Sequence, residues 1–260
     1  MKRIKYILLI IAIFLLSSCQ NENSSMKDNN SIKDSVYNKN ETINLYYEIK
    51  NKVTSENIGF QEVSITRGKS NYTQIHEKRY LTKEFLTGLG KDLTNIKEYE
   101  LNSEYSLLSL TETEYLNEEN RFEKNVIIKN QNKSKNVITK SKEYTQDGKV
   151  NTTNDQVSFP KTQTISAGSY FEIPFFITNL EKDEHVFYTT IDGKINSFKI
   201  SGNEDIKNTT EEIIRTTKMS TMDEKVKIWV EENSNIIVQI EEYITEDNIL
   251  VTTLTKKNNL

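Results

Sequence analysis

The chain contains few side chains of the types that bind metals or act as catalytic bases. Its 260 residues include two histidines, His76 and His185, and a single cysteine, Cys19. Neither histidine has another His or Cys at the short spacing that a zinc site requires, so we expect no metal and no cofactor. A Ser-His-Asp triad can assemble from distant residues, but no Gly-x-Ser-x-Gly elbow marks a nucleophilic serine. We interpret both histidines as ordinary strand residues.

Carboxylates are plentiful, and a carboxyl group in an apolar pocket can have the raised pKa that general acid catalysis needs. Adjacent glutamates in a β-strand point to opposite faces, so one member of the pair Glu241-Glu242 must turn inward. Alternation with Ile236, Val238 and Ile240 assigns the inward position to Glu242. An envelope hydrolase that uses a histidine or this buried glutamate is therefore one function that the sequence allows. The alternative is that Glu242 ends a strand in solvent, where charged side chains usually lie.

The first 19 residues have the pattern of an export signal. Three basic residues among the first five precede 11 consecutive apolar residues, 6–16, a run too short to span a bilayer stably. The following positions complete the tetrad Leu16-Ser17-Ser18-Cys19, which resembles the lipobox of bacterial lipoproteins. This resemblance covers residues 1–19. It implies signal cleavage between Ser18 and Cys19 and attachment of acyl chains, such as palmitate, to Cys19.

The lipobox resemblance implies a protein that is anchored by lipid in the cell envelope. We expect a signal peptide over residues 1–18, a lipidated Cys19 with a polar, aperiodic tether over residues 19–41, and a β-rich ectodomain over residues 42–260. Each buried methylene of an acyl chain contributes about 0.8 kcal/mol, so two or three chains hold a protein firmly on a membrane. Removal of residues 1–18 takes away three bases and no acids, which leaves 31 bases against 38 acids and a formal charge of −7. This acidic balance argues against a nucleic-acid partner.

From Thr42 onward the periodicity is that of β-strands. Ile43, Leu45, Tyr47 and Ile49 alternate with other residues, and short polar turns separate similar runs along the rest of the chain. A single cysteine excludes a disulfide framework, and one short apolar run excludes a protein with several membrane-spanning helices. The sequence therefore predicts a mainly β fold, either a curved antiparallel sheet or a half-open barrel built as a meander of hairpins.

Two local patterns stand out from this meander. Apolar residues at helical spacing, with Thr82 as a capping residue, predict a short helix over residues 82–97. Residues 143–153 and 242–253 are similar in sequence, which fits a domain of two similar halves. A repetitive composition explains the same similarity without a duplication.

The run Tyr170–Ile177 is rich in aromatic residues, and we predict a strand over residues 169–178. Pro174 removes a backbone donor, which favours an edge strand or a bulge. Aromatic residues on such a strand can line a cavity or a partner surface, although packing in the core is the alternative. The candidate apolar binding surface consists of Phe171, Phe175, Phe176 and Trp229.

Residues 165–245 resemble the closing strands of periplasmic lipoprotein-carrier-type proteins. Gly168-Ser169-Tyr170 leads into paired strands, and the run Val226–Glu232 is followed by a polar turn and a second alternating strand. Those proteins fold as a curved, half-open antiparallel sheet with a hydrophobic concave face, and the resemblance implies the same architecture here. The family's usual aspartate and turn glycine are replaced, so no functional residue is carried over.

The sequence leaves three functions open. The first is a non-enzymatic module of the cell envelope that binds an amphipathic ligand or an envelope protein partner. The second is the envelope hydrolase, and the third is a structural surface protein without a small ligand. The first requires an apolar concave surface that the protein does not fill itself. The second requires a cleft in which a histidine or Glu242 meets another reactive group.

Overall fold

The computed structural model describes most of the predicted ectodomain. The described ranges are 41–68, 72–83, 90–145, 147–176, 183–207 and 211–259. The predicted signal peptide, Cys19 and the tether up to residue 40 lie outside the described residues. Within the described ranges, no helix combines the length and the apolar character needed to cross a bilayer.

Within the described ranges, fifteen strands form one continuous sheet. The strands are β1 (Thr42–Asn51), β2 (Asn57–Arg67), β3 (Thr73–Leu81), β4 (Leu93–Leu101), β5 (Leu107–Leu116), β6 (Glu119–Asn130), β7 (Ser134–Tyr144), β8 (Val150–Pro160), β9 (Ile165–Ser166), β10 (His185–Thr190), β11 (Ile195–Lys207), β12 (Ile213–Thr221), β13 (Val226–Glu231), β14 (Ile237–Thr245) and β15 (Asn248–Asn259). Their order in the sheet is β8-β7-β6-β5-β4-β3-β2-β1-β15-β14-β13-β12-β11-β10-β9. In the described part of the chain, every pairing is antiparallel except that of β9 with β10.

The chain runs as two up-and-down meanders, β1 to β8 and β10 to β15, which are joined because the first strand pairs with the last. The strands β8 and β9 therefore form the two edges of the sheet. This arrangement confirms the predicted mainly β fold and its antiparallel meander. The similar segments 143–153 and 242–253 both span hairpins, β7–β8 and β14–β15. Their origin by duplication stays a prediction.

The sheet is strongly curved. Arg79 on β3 and Glu242 on β14 form an ion pair, with 2.6 Å between Nη2 and Oε2, although three strands lie between them in the sheet. These side chains can meet only across a concave face. The two ends of the sheet also approach each other, since Phe159 on β8 lies against Gly193 in the β10–β11 turn. The structure is therefore the curved, half-open form of sheet that the sequence predicts.

The segment that begins at the edge strand β9 packs into the core on the concave side of the sheet. We call residues 165–176 the plug. Ser169 caps a 3₁₀ turn, Tyr170–Glu172, by accepting a hydrogen bond from the Phe171 N–H at 3.1 Å. The turn continues into the short helix α1, Ile173–Phe176.

The predicted strand over residues 169–178 is wrong for the described residues 169–176, and the remaining two lie outside the described residues. Pro174 lies in the first turn of α1, where its missing N–H is not needed. Gly168, with a φ of 81°, reverses the chain just before the capping residue. Local capping therefore outweighs the strand preference of the aromatic side chains.

The helix predicted over residues 82–97 is also wrong where the structure describes this stretch, because Leu93–Leu101 is strand β4. Residues 84–89 lie outside the described residues. Leu93 and Ile96, which fit a helical spacing, lie on opposite faces of the strand. The alternation that prevails has a period of two, with Leu93, Tyr99 and Leu101 on the concave face.

Substitution of Gly59 by alanine should weaken the pairing of β2 with β3. An ideal Cβ at Gly59 would lie 2.0 Å from the carbonyl oxygen of Tyr80, far inside van der Waals contact. We expect the free energy of unfolding, measured by urea denaturation, to fall by about 2–3 kcal/mol, as for other overpacked sites. Gly68→Ala is the matched control, because the nearest atom to its added Cβ, the Tyr72 oxygen, is 3.6 Å away. An equal loss in both variants would contradict the steric explanation.

Candidate functional site

Four matched rows of side chains cross the neighbouring strands β3, β4 and β5 on the concave face. Two polar rows lie between two apolar rows, because alternation directs every second residue of each strand inward. The strand register places the members of each row side by side. From the core toward the ends of the strands, the rows are Ile75/Tyr99/Leu110, Glu77/Lys97/Glu112, Arg79/Asn95/Glu114 and Leu81/Leu93/Leu116.

A cavity of about 410 Å³ lies over the two polar rows, and we call it the concave cavity. Strands β14 and β15 and residues 168–171 of the plug supply its other walls. Its volume falls within the range of roughly 300–1,000 Å³ that is usual for small-molecule sites. Apolar side chains form its outer rim: Leu81 and Leu250, which are buried with Ile49 and Ile58 in a second apolar cluster, and the more exposed Leu93 and Ile244.

One group of polar contacts joins three separate elements around this cavity. Arg79 on β3 pairs with Glu242 on β14, and the hydroxyl of Tyr170 in the plug donates to Glu242 Oε1 at 3.3 Å. Burial and the nearby Glu242 carboxylate together raise the pKa of Tyr170 above its ordinary value, so this phenol stays a hydrogen-bond donor. The Nε–H of Arg79 is buried and has no acceptor among the described residues.

A second group of charges lies on β4, β5 and β6. Glu112 lies 3.1 Å from Lys124 Nζ and 3.6 Å from Lys97 Nζ. Burial by itself would raise the pKa of Glu112, but the charges of the two lysines, together with hydrogen bonds from Asn95 and Lys124, hold the pKa below its ordinary value. Glu112 is therefore an ionised, well-neutralised carboxylate in the wall of the cavity.

Glu77 differs from the other carboxylates of the cavity. Only 7% of this residue is exposed, and no cation lies within ion-pair distance of it in the described part of the chain. Its Oε1 accepts hydrogen bonds from the hydroxyls of Tyr99, at 2.6 Å, and Ser169. Its Oε2 accepts one long hydrogen bond, 3.3 Å, from Gln61 Nε2. Burial, followed by the charge of Glu77, raises the pKa of Tyr99 well above its ordinary value.

Glu172 is fully buried in the plug and does not line the cavity. Its carboxyl group accepts hydrogen bonds from the Ser166 hydroxyl and from the Ala167 N–H, the latter at 2.9 Å to Oε1. Burial raises the pKa of Glu172 to about 8, although both hydrogen bonds oppose the shift. The group is therefore mostly protonated near neutral pH, and it ties the 3₁₀ turn to strand β9.

The four aromatic residues predicted to form one binding surface lie in two places. Phe171 is buried in the core and lines the concave cavity, while Phe175 and Phe176 are half-buried on α1. Trp229 lies on the convex face, because its sequence neighbours Ile228 and Val230 both face inward. Its indole N–H donates a hydrogen bond to Glu204 Oε2 at 3.2 Å. The structure therefore brings three of the four together on the plug and separates Trp229 from them.

Neither histidine lines the concave cavity. His76 lies on the exposed face of β3, with Nδ1 3.0 Å from Glu98 Oε1, and His185 stacks on the exposed ring of Phe187 at 5.7 Å. Glu242 does turn inward with Ile240, toward Arg79 rather than toward a histidine. Among the described residues, no three His, Cys, Asp or Glu side chains are placed to hold a metal ion. The hydrolase stays a prediction.

Sequence reasoning identified Glu242 but missed Glu77, Arg79 and Glu172. A signal for the first two exists, because the inward alternation of residues 75–81 passes through Glu77 and Arg79 before it ends at a leucine. A signal for Glu172 also exists, since it is the one charged residue within the aromatic run. In both cases a charge falls where the pattern requires an inward side chain.

The comparisons with known proteins identify the architecture. The fold is similar to the crystal structure of a beta-barrel-like protein of the domain of unknown function DUF1849 from Brucella abortus, with a TM-score of 0.56 and 6% sequence identity. The alignment covers 84% of this chain and 98% of that chain. No protein-family model and no curated protein matches the sequence. At this identity the likeness shows a shared fold, a beta-barrel-like antiparallel sheet.

Proposed function

We propose that this chain is a lipid-anchored protein of the cell envelope whose β domain binds a small amphipathic molecule in the concave cavity. The anchor is inferred from the lipobox-like tetrad that ends at Cys19. The single observation that supports the binding function is the layering of the cavity, in which an apolar rim lies outside the two polar rows. No histidine lines this cavity in the described residues, and Glu242 there contacts Arg79 and Tyr170 rather than a nucleophile, so we propose binding rather than hydrolysis.

The layering fixes how a ligand would lie. A polar head group would enter past the rim and reach the side chains of the two polar rows, while an apolar chain would remain against Leu93 and Ile244, the more exposed residues of the rim. Burial of apolar surface at the rim would provide most of the affinity, at about 25 cal/mol per Å². The charged rows would select the head group, because a buried charge without a partner is strongly unfavourable. The plug closes the inner end of the cavity through Ser169 and Phe171.

Replacement of Ile244 by aspartate should weaken the binding of an apolar probe. Ile244 lines the rim and is 54% exposed, so the substitution should leave folding intact while it places a charge beside the ligand's apolar part. We expect the affinity for the neutral fluorescent probe N-phenyl-1-naphthylamine, measured by fluorescence titration of the full-length chain, to fall at least fivefold.

Ile127→Asp is the matched control, because Ile127 is also 54% exposed but lies on β6 outside the cavity wall. The control should bind the probe as the unmodified chain does. If the unmodified chain does not bind the probe, or if both variants lose affinity equally, the proposed function is wrong.

A further inference from the structure

The charges that line the concave cavity are unequal in sign. Its walls contain four carboxylates and two cations among the described residues: Glu77, Glu112, Glu114, Glu242, Arg79 and Lys97. Cations neutralise three of these carboxylates, since Glu242 pairs with Arg79, Glu112 with two lysines, and Glu114 with Arg121 at 3.3 Å. Glu77 is left without an ion-pair partner in the described part of the chain.

The position of Glu77 indicates where in the cavity a cationic group of a ligand would bind. Glu77 is more than nine-tenths buried at the inner end of the cavity wall, and its Oε2 has only a 3.3 Å hydrogen bond from Gln61. Its cross-strand neighbour Lys97 pairs with Glu112 at 3.6 Å and forms no ion pair with Glu77. Neutral donors satisfy Oε1 of this carboxylate well and Oε2 weakly, whereas an ammonium group beside Oε2 would form a charge-assisted hydrogen bond and neutralise the charge.

We propose that the concave cavity binds amphipathic molecules with an ammonium head group, and that Glu77 is the residue that recognises this head group. The proposal rests on the proposed binding function and specifies the chemical class of its ligand. The ammonium lies between Glu77 Oε2 and the second charged row, and the alkyl part extends past Arg79 to the apolar rim. An anionic head group would be repelled by the Glu77 carboxylate at the same depth.

Three probes with the same chain and different head groups test this proposal: n-hexylammonium, hexanoate and 1-hexanol. Titration calorimetry on the full-length chain should show that n-hexylammonium binds at least tenfold more tightly than either of the other two. Glu77→Gln should weaken n-hexylammonium binding at least tenfold and change 1-hexanol binding less than twofold. Glu98→Gln, on the exposed face of the adjacent strand, should change neither.

The outcomes separate the two proposals. If hexanoate or 1-hexanol binds the unmodified chain as well as n-hexylammonium does, the ammonium class is wrong and the proposed binding function stands. If none of the three probes binds while N-phenyl-1-naphthylamine does, the ammonium class is wrong, and if N-phenyl-1-naphthylamine also fails to bind, both proposals are wrong. The comparison of probes on the unmodified chain needs no substitution, so it remains decisive even if Glu77→Gln fails to fold.

Discussion

The protein should become easier to unfold as the pH rises from about 5 to about 8. Burial raises the pKa of Glu172 to about 8 in the folded state, against an ordinary value of 4.5. Between these values the folded chain holds a proton that the unfolded chain has released, so the free energy of unfolding decreases with pH. Each unit of pKa difference corresponds to about 1.4 kcal/mol, so the total loss is roughly 3–5 kcal/mol and is complete above the folded-state pKa.

The groups around Glu172 support this direction. Glu77 adds a like charge that raises the pKa further, while Lys97 and the hydrogen bonds from Ser166 and Ala167 lower it. Burial outweighs these opposing contacts. Carboxyl groups of the opposite type, such as Asp192, whose pKa Lys194 lowers to about 2, lose their contribution only below about pH 4. Between pH 5 and pH 8 the stabilising contribution of these carboxylates is constant, so a change in the free energy of unfolding over this interval reports the titration of Glu172.

Glu172→Gln should remove the slope. An amide has the shape of the protonated carboxyl, can still accept the Ala167 N–H, and does not ionise. The Glu172→Gln variant should be as stable as the unmodified chain at pH 5 and more stable at pH 8. The measurement is urea unfolding with Trp229 fluorescence as the signal. Trp229 is the only tryptophan and is 4% exposed, so its emission reports unfolding.

Glu112→Gln is an informative control, because the pKa of Glu112 is lowered rather than raised. Its substitution should reduce stability by a similar amount at pH 5 and pH 8, since the unmodified carboxylate contributes fully above its ordinary pKa. The slope between pH 5 and pH 8 should survive in this variant. A slope that also survives in Glu172→Gln would show that another group causes it.

Local alternation was enough to predict the class of fold and most strands. β1, with Ile43, Leu45, Tyr47 and Ile49 all buried, is a case in which the pattern and the burial coincide. Strand β8 has no such pattern, because nine of its eleven residues are exposed. Its backbone pairing with β7 and the burial of Phe159 hold it in the sheet, and a strand that is otherwise mostly exposed leaves no periodic signal.

The candidate site was less predictable, because it depends on contacts between distant segments. The charged rows exist only once β3, β4 and β5 pair in register, which places Glu77 beside Lys97 and Lys97 beside Glu112. The contact of Arg79 with Glu242 depends further on the curvature of the sheet, over 163 residues of sequence. The plug was predicted as a strand because its aromatic residues favour strands, whereas the capping by Ser169 decides its conformation.

Removal of the Phe171 ring should destabilise the protein more than any other single truncation in the plug. Phe171 is 3% exposed and packs edge to face on Tyr47, with 5.4 Å between ring centroids. Tyr47 in turn donates from its hydroxyl to the carbonyl of Ile237 at 2.8 Å, so this contact connects the plug to strands of both meanders. Phe171→Ala should lower the free energy of unfolding by about 3–5 kcal/mol, because a buried aromatic is lost and a cavity remains.

The measurement is urea or thermal unfolding, and a loss of this size should lower Tm by about 10 °C in a domain of this length. Phe171→Leu should lose much less, about 1–1.5 kcal/mol, since it retains most of the buried volume. Phe187→Ala is the matched control, because Phe187 is 68% exposed on β10 and its truncation should change stability by about 0.5 kcal/mol or less. If the Phe171 and Phe187 variants are equally stable, the plug does not hold the two meanders together. Phe171 also closes the inner end of the concave cavity. Such a result would therefore mean that this wall is not firmly held, although head-group selection by Glu77 depends on it.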